Sequence, residues 1–80
     1  EYVGKVWKTA SQYLSYYLSL DANRFAQAQN DCIRQIMIMQ STCEVASMVD
    51  QKTAKKYEDQ LNKLYTLYHG RGGQMPNAGN

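Results

Sequence analysis

Helix breakers are nearly missing from this chain. Its single proline is Pro76, and the only glycine outside the last eleven residues is Gly4. From Lys5 to His69 neither residue occurs, and with that absence goes the punctuation a β domain needs. Histidine is almost absent too. One His and two Cys are too few, and too far apart in sequence, for a zinc site of the usual short spacings. No Gly-x-Ser-x-Gly elbow and no Gly-rich phosphate loop occurs, so the sequence carries no recognisable nucleophile or nucleotide machinery. No apolar run approaches the ~18 residues of a membrane span, and no signal peptide is visible. The chain could be the mature part of a secreted precursor. A surplus of one charge is also lacking: the net charge is +2, too small to imply nucleic acid.

What remains is helix-forming, rich in Gln, Ala, Leu, Lys and Met. At 80 residues the chain makes one domain at most, burying only roughly 60% of its unfolded surface. Such scaffolds lean on a disulfide, a metal, a partner or very regular packing. The expected fold is all-α: a small three-helix bundle, or a helical hairpin with an extra helix. Residues 1–70 form the domain and 71–80 a flexible tail with little to bury.

A first helix is expected from Val3 to Ser19. Val3, Trp7, Ala10, Leu14 and Tyr17 fall on one stripe, widened by Tyr13 and Leu18. Asp21 then reads as an N-cap, with Leu20 and Phe25 as a hydrophobic staple, so a helix starts at Ala22. Its seam is Phe25, Gln29, Cys32, Ile36, Met39, Cys43 and Ala46, flanked by Ala26, Ile33 and Met37. Gln29 is a polar entry of the kind that fixes register. A last helix carries Ala54, Tyr57, Leu61, Leu64 and Tyr68. Lys55–Asp59 and Asp59–Lys63 have ion-pair spacing on its outer face. His69 suits its negative end, and Gly70 its C-cap.

The boundary between the second and third helices has two readings. Asp50 can cap a helix from Gln51, leaving one helix over 22–49. Alternatively, Ser41-Thr42-Cys43-Glu44 has capping-box spacing and would end the second helix near Gln40. The undisturbed seam from Phe25 to Ala46 favours the first. The cysteines test the same point. Eleven residues of straight helix separate Cys32 from Cys43 by roughly 16 Å of rise, far beyond the ~4.4–6.8 Å between Cα atoms in a disulfide. A break at Ser41 would let them pair with each other; otherwise they are small core residues or bridge to another chain.

Tyrosine is plentiful, with seven residues beside Trp7. They suit a core with hydroxyls at its rim, or a patch for a protein partner. Trp7, Tyr13, Tyr16, Met48 and Tyr65 are the candidate partner-binding residues. Lys52, Lys55, Lys56 and Lys63 with Arg71 form a basic segment that could meet phosphate in a helix-turn-helix manner, although Glu58 and Asp59 lie among them. The expected function is a non-enzymatic protein–protein interaction domain: an inhibitor or immunity-type factor, an assembly component or a small chaperone. Its partner is another protein or a second copy in a homodimer, without cofactor or metal. The alternative is a small nucleic-acid-binding dimer using the basic face.

Asp31-Cys32, Cys43 and Glu58-x-x-Leu61-Asn62-x-x-Tyr65 resemble the pattern of small secreted bacterial proteins similar to lysozyme inhibitors, over about half the chain. The resemblance implies paired cysteines, a Leu-Asn…Tyr segment on a following helix, and a secreted or periplasmic compartment. The interval from Cys43 to Leu61 departs from that pattern by about two helical turns.

Overall fold

A computed structural model describes residues 2–74. Among these residues the chain is all-α, with α1 Tyr2–Leu18, α2 Ala22–Gln27, α3 Gln29–Val49 and α4 Gln51–Gly70. Asp21 caps α2 as its residue type predicts: its Oδ1 accepts the Arg24 amide hydrogen at 2.9 Å. The carbonyls of Tyr16 and Tyr17 meet the amides of Ser19 and Leu20 at 3.0 and 3.2 Å, closing the end of α1 before the turn.

The helix expected over 22–49 is divided. At Ala28 the backbone relaxes to φ −95°, ψ 8°, and its amide is shared between the carbonyls of Arg24 and Phe25, both at 3.0 Å. The tightened turn re-aims α2 so that Phe25 reaches the Tyr68 ring, edge-on at 5.8 Å. No Gly, Pro or capping side chain marks this break, so tertiary packing rather than local chemistry places it.

The second boundary falls at Asp50. Its carboxylate accepts the Lys52 amide at 3.1 Å and the Thr53 hydroxyl at 2.7 Å. The Thr53 bond first, and then the Lys52 bond, hold its pKa below the ordinary carboxylate range. The rival break at Ser41 does not occur. Thr42 instead turns its hydroxyl back to the Ile38 carbonyl at 2.8 Å, satisfying itself inside a continuous helix.

Helix α3 is the axis of the molecule. It packs along α1 on one side and α4 on the other, while α1 and α4 touch only sparingly. The core between them contains Trp7, Ala10 and Leu14 of α1, Phe25, Cys32, Ile36 and Met39 of the middle segment, and Leu61 and Tyr68 of α4. These are the seams that helical spacing foretells. The molecule extends 39 × 28 × 17 Å along its principal axes. Each of the three long helices keeps an exposed side that carries apolar residues, Tyr13 on α1, Met37 on α3 and Leu67 on α4 among them.

The exit from α4 corrects the expected cap at Gly70. Gly72, at φ 87°, is the residue in the left-handed region, where a missing Cβ matters. The amides of Gly72 and Gly73 return to the carbonyls of His69 and Tyr68, both at 2.9 Å, a Schellman pairing. Residues 71–74, the first part of the expected tail, fold back onto the core. Gly73 is buried against the Tyr68 ring, where a Cβ would come within 2.4 Å of ring carbon. The Tyr68 hydroxyl donates to the Gln74 carbonyl at 2.6 Å. Residues 75–80 lie outside the described residues.

Candidate docking face

The same helices that build the core carry a second apolar pattern turned away from it. On α1, Tyr2, Val6, Thr9, Tyr13 and Tyr16 repeat at alternating spacings of four and three, one residue off the core stripe. On α3, Ile33, Met37, Ser41 and Val45 repeat every four residues. Because α1 and α3 lie side by side, the two patterns share one open side of the molecule. Tyr2 is 78% exposed, Tyr13 51%, Tyr16 59%, Met37 56% and Val45 47%. Such a density of exposed aromatic and apolar side chains marks an interaction surface more often than chance scatter does.

Between them runs a groove of about 580 Å³. Tyr2, Val3 and Val6 form its α1 wall, and Ile33, Met37 and Val45 are among the α3 residues of the other. Asn30, Arg34, Ser41 and Thr42 supply its polar and charged groups. A shallower hollow shares Tyr2, Val6 and Ile38 with the groove and adds Lys5, Thr9 and Gln35. Thr9 in turn borders a third hollow with Gln12, Tyr13 and Tyr16. The surface thus extends along the length of α1.

Of the residues singled out from sequence, Tyr13 and Tyr16 belong to this face. Trp7 does not, and its reading as a contact residue is corrected. It is 5% exposed, stacked on Tyr57 at 4.3 Å, and its indole N–H donates to Gln60 Oε1 at 2.8 Å. Tyr65 is half-buried and meets His69 edge-on at 4.4 Å. Met48, 84% exposed, sits near the C-terminal end of α3, one turn past Val45. The signal for Tyr2, Val6 and Val45 was a second helical period in the same segments, hidden because the core stripe already accounts for each helix.

Cys32 and Cys43 are both free. Both lie on the unbroken α3, so an internal bridge between them, and the pairing implied by the resemblance, do not arise in this fold. Burial, with the Asp31 charge behind it, pushes the Cys32 thiol up. Burial, then Glu58 and Glu44, do the same for Cys43. Both are therefore poor nucleophiles.

The outer face of α4 forms no Lys55–Asp59–Lys63 ladder. Ion pairs among the described residues are Arg24–Asp21 and Arg34–Asp31, each at 3.9 Å. Arg71, expected to extend the basic segment, reaches across the surface to the turn after α1. Its Nη1 donates to the carbonyls of Leu18, at 2.8 Å, and Leu20, and its guanidinium lies 4.5 Å over the Phe25 ring. Among the described residues no cluster of three His, Cys, Asp or Glu could hold a metal ion, and no helix is long and apolar enough to cross a membrane. No family model, curated protein or solved structure matches the chain.

Proposed function

We propose that this chain is a non-enzymatic protein-interaction domain that docks its partner on the open side of the α1–α3 pair. The observation that carries this reading is the continuous groove between those helices, lined by Tyr2, Val6, Met37 and Val45 and extended by Tyr13 and Tyr16. Concave apolar surfaces with a few polar groups are where ligands and partners bind. Tyrosine and methionine are enriched at interface cores, tyrosine for its large, half-polar contact area.

Site-specific photo-crosslinking tests the reading in the protein's native host. A benzophenone side chain at Met37 or Tyr13 should give an adduct with another protein. The same group at Asn62, on the exposed side of α4, should not. Adding Val45→Asp should remove the Met37 adduct. Equal labelling from all three positions, or none from the groove, overturns the proposal.

A further inference from the structure

The charged side chains that line the groove, Arg34 and Lys5, are both cationic, with Asp31 standing beside the first. Helix α1 contains Lys5 and Lys8 and no acidic residue. Arg34 lines the main groove and Lys5 its shallower continuation, and no carboxylate lines either. Asp31 lies 3.9 Å from Arg34, but the two side chains are 47% and 71% exposed. An exposed pair of this kind binds weakly, so Arg34 remains open to a second carboxylate.

The shape is as specific as the charge. Two helices side by side leave a trough in which a third helix can lie, its apolar stripe facing down. The α3 wall runs from Asn30 to Val45, about 22 Å at 1.5 Å per residue, the length of roughly 15 helical residues; the α1 side is Tyr2 to Val6 in the main groove and continues to Tyr16 through the two smaller hollows. Ser41 and Thr42, toward the Val45 end of that wall, are small enough for close approach. A second copy presenting this face would bring Lys5 and Arg34 against the same cations. A flat lipid surface would not fill a trough.

We propose that the occupant is a single amphipathic α-helix of another protein, about four turns long, with Asp or Glu flanking its apolar face. This rests on the docking reading above and names the partner's chemistry.

The test uses two synthetic helical peptides of about 16 residues with the same leucine stripe, one flanked by Glu and one by Lys. Each is titrated into the isotope-labelled full chain and followed by amide NMR. The Glu peptide should shift the amides of Val6, Ile33, Met37 and Val45 saturably. It should bind about tenfold or more tighter than the Lys peptide. Lys5→Glu with Arg34→Glu should invert that order, and Met37→Asp should abolish binding. All three residues are exposed, so the variants' amide dispersion should match the parent's. Equal affinity for both peptides in the groove would overturn the acidic helix while leaving the docking face standing. Shifts confined to other surfaces would overturn both. Concentration-dependent shifts at the same amides without peptide would identify a second copy as occupant. Loss of those signals on adding phosphatidylserine vesicles would identify a membrane. Either result overturns the proposal.

Discussion

Arg71 does for the far end of this bundle what no local cap does. The last turn of α1 leaves carbonyls without helical partners, and a guanidinium more than fifty residues later in sequence reaches that of Leu18 at the helix end and that of Leu20 in the turn beyond. Its planar face covers Phe25, so one side chain ties the exit of α4 to both ends of the α1–α2 turn. Arg71→Ala should lower stability by about 1–2 kcal/mol, from the lost charged hydrogen bonds and ring contact at a water-facing site. Arg71→Lys should recover only part of that, because a point ammonium cannot both fork and stack. Urea unfolding of the three proteins reads the difference. Gly73→Ala is the harsher change. The added methyl meets the buried Tyr68 ring, and either the ring or the 71–74 segment must move, at about 1–3 kcal/mol. A Gly73→Ala protein as stable as the parent would mean that this close approach is not held in solution.

At the scale of elements, one helix has two sides to serve. Cys32, Ile36, Met39 and Ala46 are buried in the core, while Met37 and Val45 on another side of α3 stay about half exposed. Substitutions separate the two sides. Ile36→Ala should cost about 2–4 kcal/mol, as buried aliphatic truncations do, whereas Met37→Asp should change stability by no more than about 0.5 kcal/mol. Thermal melts of both check this, and a large loss from Met37→Asp would mean that this side is packed rather than free. Asp21→Ala should cost about 1 kcal/mol through the lost cap of α2.

The core side was legible in the sequence. The 4-3 stripes on α1, α3 and α4, the cap at Asp21 and the boundary at Asp50 follow from spacing and side-chain chemistry that act within a few residues. What was not legible depends on distance. The break at Ala28 answers to Tyr68 some forty positions later, and Arg71 has no local signature for its target. Trp7 was misplaced because a stripe residue can face core or partner, and only the positions of Tyr57 and Gln60 decide which. The docking face lay between these cases. Its residues had a readable period, but whether a second stripe stays open depends on how many helices are available to cover it.

The whole molecule has too few helices to enclose α3, and its radius of gyration of 12.8 Å exceeds the about 12 Å of a typical 80-residue domain. In so small a core a few buried titratable groups bear on how stability responds to pH. Cys32 and Tyr68 are wholly buried. Burial raises the Cys32 thiol above its ordinary 9.0 and the Tyr68 phenol above its ordinary 10.0, the Cys32 thiolate adding to the latter. In the folded chain these acids hold their protons to higher pH than in the unfolded chain. Their neutral forms thus favour the fold fully below pH 9, and that advantage is lost as pH climbs through the raised values. Asp50 acts in the opposite sense. Its folded value lies below the ordinary 3.8, so the stability from its cap is present above that pH and lost as pH falls through the lowered value. Urea midpoints should therefore be flat from about pH 5 to 8 with respect to these groups and decline beyond about pH 9. Tyr68→Phe removes the phenol that burial disfavours ionising, while sacrificing the bond to Gln74. It should start from a lower plateau by about 0.5–1.5 kcal/mol and decline less steeply above pH 10. Cys32→Ala should flatten the first part of the same limb. If both variants fall as steeply as the parent, then the alkaline limit is set outside this core, and the burial that raises these groups does not govern the folding equilibrium.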